Sequence, residues 1–229
     1  MKMKLLAALV FGVTGVAILV SLGVWQVQRL AWKREILGEI ESRIHAEPVE
    51  LMEALDPKVV EFAAVKAKGR FTGEELHVLA SIKQVGAIYR IVSAFETEAG
   101  QRIMVDRGFV PVSEKDSLRP AGPAEIEGNL RFPEERDSFT PDADREKNIW
   151  FIRDPEAMSE VLGTEYVFVI LRQTSEKNPP VTPLPVDTAS IPNVHLQYAI
   201  TWFSLAAIWA VMTGFLMRRL ARVGQKDRE

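Results

Sequence analysis

Two long uncharged stretches lie near opposite ends of the chain. Residues 5–24 include 20 positions without a charged side chain, and residues 196–217 include 22. At about 1.5 Å per residue in a helix, each stretch is long enough to cross the hydrocarbon core of a bilayer. The pattern therefore predicts one transmembrane helix over residues 1–24 and another over residues 194–217, with Asn193 as the N-cap of the second.

The first stretch also allows a second interpretation. Ser21-Leu22-Gly23 is an acceptable signal-peptide cleavage site, although the apolar part of a signal peptide is usually about 7–15 residues long. Ala8, Gly12 and Gly15 lie on one side of the predicted helix, where small side chains let another helix approach closely. Glycine is also frequent in membrane helices without any such role, so this face alone does not establish a contact.

The helical pattern continues beyond the first span. Apolar residues recur at helical spacing from Leu30 to Ile44, which predicts a helical extension over residues 25–45 that ends near Arg43. Trp25 and Trp32 are typical of the boundary between lipid and water. The alternative for this segment is a surface that docks a membrane partner.

Residues 46–178 show the shorter alternation of β-strands. Apolar or small positions from Val65 to Phe71 alternate with three basic residues, and Thr72-Gly73 is expected to end this strand. Further strands are predicted at residues 76–79, 87–96, 102–110, 125–131 and 166–174. We expect a mostly antiparallel β domain of the α+β class, a sheet or small barrel-like structure, with a short helix from Asp154 to Leu162.

Basic residues set the expected orientation. A proline-rich linker, residues 179–193, leads into the second span, and a basic tail, residues 218–229, follows it. Because basic flanks favour the cytoplasmic side, both termini are expected in the cytoplasm and residues 25–194 largely on the other side. Arg29, Lys33 and Arg34 follow the first span and oppose this orientation, so the second span decides it.

Composition excludes several classes of site. The chain has no cysteine, which rules out disulfides, thiolate metal sites and a cysteine nucleophile. Its histidines, His45, His77 and His195, are too few for a typical multi-histidine metal centre. Residues 25–194 carry 21 basic and 29 acidic side chains, a net charge of −8, so charge attraction does not favour nucleic acid as a partner.

No catalytic residue is assigned from the sequence. Asp106 and Arg107 are neighbours on a predicted strand and point to opposite faces, so they are expected to stabilise the sheet rather than act jointly on a substrate. The acidic residues between Glu134 and Asp144 lack the ligand spacing of a calcium loop and indicate a solvated loop. Without a known hydrolase, nucleotide or zinc motif, an extracytoplasmic hydrolase has no catalytic constellation here.

His195 lies at the entrance to the second span. Ionisable groups at membrane helices are costly and tend to mark function, and imidazole is an axial ligand of haem iron. Tyr198, Trp202, Leu205 and Trp209 share its helix face, which predicts an aromatic-lined stripe for a flat macrocycle. The alternative is an interfacial histidine that bonds to headgroups or helix ends, beside aromatic side chains that only pack.

Four motifs, in order along the chain, resemble the Surfeit locus protein 1 family. They are Gly23-Val24-Trp25-Gln26 with Arg29-Leu30 and Trp32-Lys33, then Val105 to Pro111, then Asn148 to Phe151 with Arg153-Asp154, and then Asn193 to Phe203. The resemblance covers nearly the whole chain and includes both predicted spans. Tyr89-Arg90 stands where the family often has a longer stretch with Gly and Pro, so that loop is expected to differ.

The resemblance implies a function in respiratory-enzyme assembly. On this resemblance, the protein is expected to lie in the bacterial inner (cell) membrane. It is expected to assist assembly of haem-copper cytochrome c oxidase and not to be an enzyme. The resemblance implies transient binding of haem a, with His195 as axial ligand, uptake from haem a synthase and delivery to oxidase subunit I. Helical spacing adds Tyr198 and Trp202 as haem-lining residues. The residues do not nominate a second axial ligand or any metal besides haem iron.

The alternative function is a cofactor-free membrane scaffold that stabilises nascent oxidase subunit I. On this hypothesis the small-residue face of the first span, around Gly12 and Gly15, and the segment from Trp25 to Arg34 are the contact surfaces.

Overall fold

The computed structural model describes residues 2–51, 61–83, 85–133, 135–189 and 191–226, so Glu134 of the predicted acidic loop and Arg228 of the basic tail lie outside the described residues. The elements in chain order are α1 (Lys2–Ile44), β1 (Val49–Glu50), β2 (Ala64–Ile82), β3 (Gly86–Thr97), β4 (Arg102–Pro111), a 3-10 turn (Val112–Glu114), β5 (Gly122–Leu130), α2 (Pro155–Leu162), β6 (Phe168–Thr174) and α3 (His195–Lys226). They form two compact units. One contains both ends of the chain, Met1–Glu39 with Ala189–Glu229, and the other is Ile40–Thr188.

The unit made from the chain ends contains two long apolar helices. Met3–Ile44 and His195–Arg222 are each long and apolar enough to cross a membrane. α1 runs without a break through the possible cleavage site and on to Ile44, which confirms the predicted helical extension. α3 begins at His195, so Val194 precedes the first helical residue and the expected N-cap at Asn193 is wrong by one position.

The helices α1 and α3 pack against each other in antiparallel directions. A Cβ atom added to Gly12 would lie 2.1 Å from Cγ2 of Thr213, and one added to Gly23 would lie 2.6 Å from Cε1 of Phe203. Residues later in α1 therefore contact residues earlier in α3, as expected for two antiparallel helices. Both distances are too short for any side chain larger than hydrogen, so glycine permits this approach.

Trp209 packs directly on α1. A Cβ atom on Gly15 would lie 2.3 Å from the indole Nε1, and the Trp209 ring centroid is 5.2 Å from that of Phe11. The indole Nε1 is buried and has no hydrogen-bond partner among the residues that the structure describes. The prediction that small residues admit a second helix is confirmed, and that helix belongs to the same chain.

The second unit is built on a mixed sheet. β2 pairs with β3 and β5, β3 with β4, and β5 with β6, all antiparallel, while β4–β6 and β1–β2 are parallel. The expectation of a mostly antiparallel domain is confirmed, and the two parallel pairs make the sheet a mixed one. Since β5 pairs with both β2 and β6, the pairings among β2 to β6 form a closed circuit.

One predicted strand boundary is wrong. The sequence predicted that Thr72-Gly73 would end a strand, but β2 continues through these residues to Ile82. A register shift between Phe71 and Glu75 accommodates them, and Gly73 adopts φ +88°. A β-bulge of this kind lets turn-like residues remain inside one strand.

Alternation along β4 and β6 supplies two separate cores. Ile103 and Val105 lie in one buried cluster, while the intervening Met104 lies in the other. In β6, Val169 belongs to the first cluster and Phe168 to the second. Both faces of this parallel pair are buried, which explains why these strands are nearly continuous apolar runs.

The end of α1 is held by side chains of the sheet. The carbonyl oxygen of Ile44 accepts hydrogen bonds from Nδ2 of Asn129 and from Nη1 of Arg172, each at 3.1 Å. Carbonyls in the last turn of a helix have no partner within the helix, and the positive charge of Arg172 is favourable at that end. Asn129 Nδ2 also donates to the carbonyl of Phe62 at 3.1 Å.

The predicted short helix is confirmed. α2 follows Asp154, whose side chain accepts a hydrogen bond from the amide of Ala157, and Pro155 occupies the first turn. Gly163 ends the helix in the left-handed conformation, with φ +61°. These are the start and stop signals that the sequence contained.

Substitution of Gly15 tests the packing of α1 on α3. Gly15→Ala forces Trp209 to move, and overpacking of this kind typically costs about 1–3 kcal/mol. We expect a lower melting temperature for the full chain in detergent, measured by circular dichroism. Gly214→Ala is the matched control, because a Cβ atom there has no neighbour within 4 Å. Equal melting temperatures for the two variants would contradict the observed packing.

Candidate functional site

His195 is hydrogen bonded to the other long helix. Its Nδ1 lies 2.8 Å from Oε1 of Gln26, a residue 169 positions earlier in the chain. His195 is half-buried, whereas Gln26 is only 8% exposed. The first residue of α3 and a buried amide of α1 thus form a polar pair between the two helices, at the end of the apolar part of α1.

This hydrogen bond has a chemical consequence for the imidazole. Oε1 is a hydrogen-bond acceptor, so Nδ1 carries the ring proton and its N–H donates the hydrogen bond to Gln26. In the neutral ring the other nitrogen, Nε2, then has a free lone pair. Within the part of the chain that the structure describes, Nε2 makes no hydrogen bond, so it is available to a metal.

The predicted aromatic stripe divides into an exposed and a half-buried part. Tyr198 is 51% exposed, whereas Trp202 and Trp209 are partly buried. Ala199 and Ala206, one turn from these tryptophans, are almost fully buried. His195, Trp202 and Trp209 therefore share the more buried side of α3, and Tyr198 lies at its margin.

An apolar groove continues this side of α3. Its volume is about 510 Å³, within the range of about 300–1,000 Å³ that is common for small-molecule sites. The lining contains no charged residue and consists of Gly15, Ile18, Leu19, Leu205, Ile208, Trp209 and Met212. The environment beyond His195 is therefore suited to a hydrophobic rather than a charged ligand.

Asp106 and Arg107 do not act on a common site. Asp106 is fully buried, and its Oδ2 accepts from Nε of Arg90 at 2.8 Å while Oδ1 accepts from the amide of Gly108 at 3.1 Å. Arg153 lies 4.0 Å from the same carboxylate. These contacts tie β3, β4 and the segment before α2 together, as expected for charges that stabilise the sheet.

Arg107 uses different partners. It is 2% exposed, its Nη2 donates to both carboxylate oxygens of Glu176 at 2.9 and 3.0 Å, and its guanidinium lies 4.1 Å from the centroid of the Phe71 ring. Burial lowers the pKa of Arg107, and the nearby carboxylate of Glu176 opposes that change. The side chain is thus paired internally.

A second buried cluster surrounds His77, which is 6% exposed. Oε1 of Glu75 lies 2.9 Å from His77 Nε2 and 2.7 Å from Arg119 Nε. Because Glu75 Oε1 accepts from His77 Nε2, that ring nitrogen carries a proton. Arg119 Nη2, 3.3 Å from His77 Nε2, is also a donor, so the contact between them is not a hydrogen bond. His77 Nδ1 is buried and unpartnered among the described residues.

The remaining sequence candidates are not brought together as a metal site. His45 is exposed immediately after the end of α1. In the predicted acidic loop, Asp142 contacts Arg136 at 3.4 Å and Asp144 contacts Lys147 at 3.0 Å. Across the described ranges, no three His, Asp or Glu side chains are grouped to hold a metal ion.

Gln26 is the residue whose role the sequence did not predict. It lies in the first of the four family-like motifs, but its contact with His195 depends on how α1 and α3 are aligned. A polar side chain among apolar residues at the end of a predicted span was the available signal, because buried polar groups require partners.

Comparison with known proteins adds a family to this geometry. Residues 13–207 match the family described as the SURF1 family. The chain is similar to Surfeit locus protein 1 of Gallus gallus, with 34% identity over 222 residues that cover 86% of this chain and 70% of that protein. It is also similar to Surfeit locus protein 1 of Homo sapiens, with 34% identity over 213 residues and coverages of 82% and 70%. A SURF1-like protein of Monosiga brevicollis is 29% identical over 221 residues, with coverages of 87% and 83%.

The Glu75 cluster makes a prediction about pH. Burial raises the pKa of Glu75, but hydrogen bonds from His77 and Arg119 outweigh it and leave the pKa below its ordinary 4.5. The resulting stability is complete above pH 4.5 and is lost as the pH falls through the lower folded-state pKa. We expect Glu75→Gln to cost about 3 kcal/mol at neutral pH, because it leaves the Arg119 charge unpaired.

Denaturant unfolding of the full chain in detergent, followed between pH 7 and acidic pH, measures this effect. The loss in Glu75→Gln relative to the wild type should shrink on acidification. Glu160→Gln, on the exposed side of α2, serves as the control and should match the wild type. A Glu75→Gln deficit that is independent of pH would contradict the assignment.

Proposed function

Since this chain belongs to the SURF1 family, we propose that it is an assembly factor for haem-copper cytochrome c oxidase, which binds haem a as its cargo and assists insertion of that haem into oxidase subunit I. The oxidase and the identity of the haem follow from the family resemblance in the sequence motifs. The chain's own geometry supplies the reason for choosing His195 as the ligand.

One observation carries the proposal, namely the hydrogen bond between His195 Nδ1 and Gln26 Oε1 at 2.8 Å. Histidines that bind metals almost always donate their second ring N–H to a fixed acceptor, which orients the ring and selects the tautomer. His195 meets this requirement, because its Nδ1–H already donates to the fixed amide oxygen of Gln26. Imidazole nitrogen is also the donor that haem iron commonly takes, so the donor chemistry fits the cargo.

The surroundings of His195 fit the rest of a porphyrin. Trp202 lies on the same side of α3 as His195, about 10 Å further along the helix axis. Trp209 and the apolar groove lie about 15–21 Å from His195 along the axis, beyond the ring itself. A macrocycle is flat and largely hydrophobic, so aromatic and aliphatic side chains are suitable neighbours. Tyr198, at the exposed margin of this side, is proposed as a lining residue that a bound ring would cover.

The proposed location is the inner membrane of a bacterium. Two candidate spans at the chain ends are compatible with a multi-pass protein whose termini are cytoplasmic and whose residues 25–194 are largely periplasmic, as the basic tail after the second span favours. Haem a synthase and oxidase subunit I are the proposed donor and acceptor of the cargo. The protein is proposed to act by binding and transfer, without catalysing a reaction.

A cofactor-free scaffold for subunit I is the second candidate. Its original basis was the small-residue face of the first span, but Gly12 and Gly15 are in contact with Thr213 and Trp209 of the same chain. The observation that still favours a scaffold is the exposure of Trp25 and Trp32 just beyond this contact. A scaffold would therefore use the segment from Trp25 to Arg34.

A haem spectrum separates the two functions. The full-length protein, purified from cells that make haem a, should show the visible bands of haem a. His195→Ala should lose them because the iron loses its imidazole ligand. His45→Ala is the matched control, because that histidine is exposed after the end of α1, and it should retain the wild-type spectrum.

The opposite result is equally clear. A wild-type protein without haem, or a His195→Ala protein with an unchanged spectrum, would remove the ligand assignment. If Trp25→Ala and Trp32→Ala then abolished co-purification with subunit I, the scaffold would be the better description.

A further inference from the structure

The amide of Gln26 is the only hydrogen-bond partner of the His195 ring among the described residues. We propose that Gln26 is a positioning residue that aims Nε2 of His195 at the iron, and that its lack of charge keeps the bound haem exchangeable. This inference rests on the proposed function, because it concerns the same histidine. It adds a residue and a means by which the site controls release.

Gln26 is a costly residue at this place in the chain. It is 8% exposed and lies near the end of an uncharged helical stretch, where a hydrophobic residue would pack without penalty. A buried amide that lacks a partner is destabilising. The contact with His195 removes that cost at Oε1, so the two residues explain each other's presence.

Neighbouring contacts between α1 and α3 also limit movement of the Gln26–His195 pair. Nζ of Lys33, on α1, donates a hydrogen bond to the carbonyl of Pro192, three residues before His195. Gly23, one turn before Gln26, is in direct contact with Phe203. Contacts on both sides of the Gln26–His195 pair therefore hold α1 and the start of α3 together, and the imidazole ring has a fixed acceptor.

The type of acceptor decides how strongly the imidazole can bind iron. In metal sites a carboxylate acceptor draws the proton away from the second ring nitrogen and raises the basicity of the ligand. An amide oxygen carries no net charge and does this less. Gln26 therefore orients the ring as a carboxylate would, but leaves the iron–nitrogen bond weaker.

A weaker iron–nitrogen bond suits a protein that must release its haem to an acceptor. A permanent haem protein gains from tight ligation, whereas a carrier has to release its cargo to an acceptor. Tuning of haem through hydrogen bonds to the axial ligand is a general property of haem proteins. At this site the tuning group is a neutral side chain on a different helix from the ligand.

Two substitutions of Gln26 separate orientation from charge. Gln26→Leu removes the acceptor, and Gln26→Glu retains an acceptor but adds charge at pH 8. Gln28→Leu is the matched control, since Gln28 lies on the same helix and is exposed. All variants are made in the full chain and studied in lipid nanodiscs, and their melting temperatures show whether they fold.

The first measurement needs no haem. Nitrogen-15 chemical shifts of the His195 ring should report protonated Nδ1 in the wild type and in Gln28→Leu, and a mixture of tautomers in Gln26→Leu. A tautomer that is unchanged in Gln26→Leu would overturn the positioning role.

The second measurement uses haem a as the probe. We expect Gln26→Leu to bind it about 10- to 100-fold more weakly, the usual loss when the hydrogen-bond partner of a metal ligand is removed. Gln26→Glu should release haem a about tenfold more slowly, shift its midpoint potential to more negative values and raise the iron–imidazole stretching frequency. Gln28→Leu should match the wild type in all three quantities.

The results distinguish this inference from the proposed function. If haem a binding depends on His195 but the Gln26 variants leave release rate and potential unchanged, the function stands and the inference is wrong. If the wild-type protein binds no haem a, the proposed function and the control of release both fail. If His195→Ala binds haem a normally, the ligand assignment and the control of release fail, while the nitrogen shifts still decide whether Gln26 fixes the tautomer. Faster release from Gln26→Glu with an unchanged melting temperature would overturn the role assigned to the neutral amide.

Discussion

The close approach of the first and last helices is the constraint on which the candidate site depends. Glycines at positions 12, 15 and 23 remove the side chains that would hold α1 away from Thr213, Trp209 and Phe203. In a membrane, helix association relies on packing and on hydrogen bonds between helices, because lipid is as apolar as the side chains. The glycine contacts provide the packing, and the pair formed by Gln26 and His195 provides the hydrogen bond.

The sheet domain uses its polar residues in a different way. Its most deeply buried charges, Asp106 and Arg107, are each neutralised by their own partners, and Glu75 serves two donors at once. Buried charges that are broken apart cost several kcal/mol, so such pairs fix a particular arrangement of strands and loops. Asp106 and Arg107 are thus part of the framework of the domain, as their positions on opposite faces of one strand predicted.

The sequence predicted those parts of the structure that depend on local pattern. Long uncharged runs predicted both apolar helices, and the Asp154-Pro155 start and Gly163 stop defined α2. The prediction failed at Thr72-Gly73 because a bulge, which depends on pairing with β3, keeps these residues within β2. The parallel pairing of β4 with β6 was missed for the same reason, since alternation shows which residues are buried but not which strand lies beside them.

Of the two hydrogen-bonded residues of the candidate site, only one could be predicted from the sequence. His195 was identifiable because an ionisable residue at the start of an apolar helix is unusual. Gln26 was not, because a contact across 169 residues depends on the alignment of two helices, and helical periodicity gives the face of each helix but not its partner. Tyr198 shows the same limit in reverse, since it shares the face by spacing but is half-exposed in the structure.

The separation of Gln26 and His195 along the chain has a consequence for biogenesis. α1 is synthesised first, and its buried amide has no histidine partner until α3 has been synthesised and has packed against it. A nascent chain that has not reached His195 therefore carries the Gln26 amide without this partner. The hydrogen bond forms only after synthesis has passed through α3, so the orientation of the imidazole is one of the late events in the maturation of the helix pair.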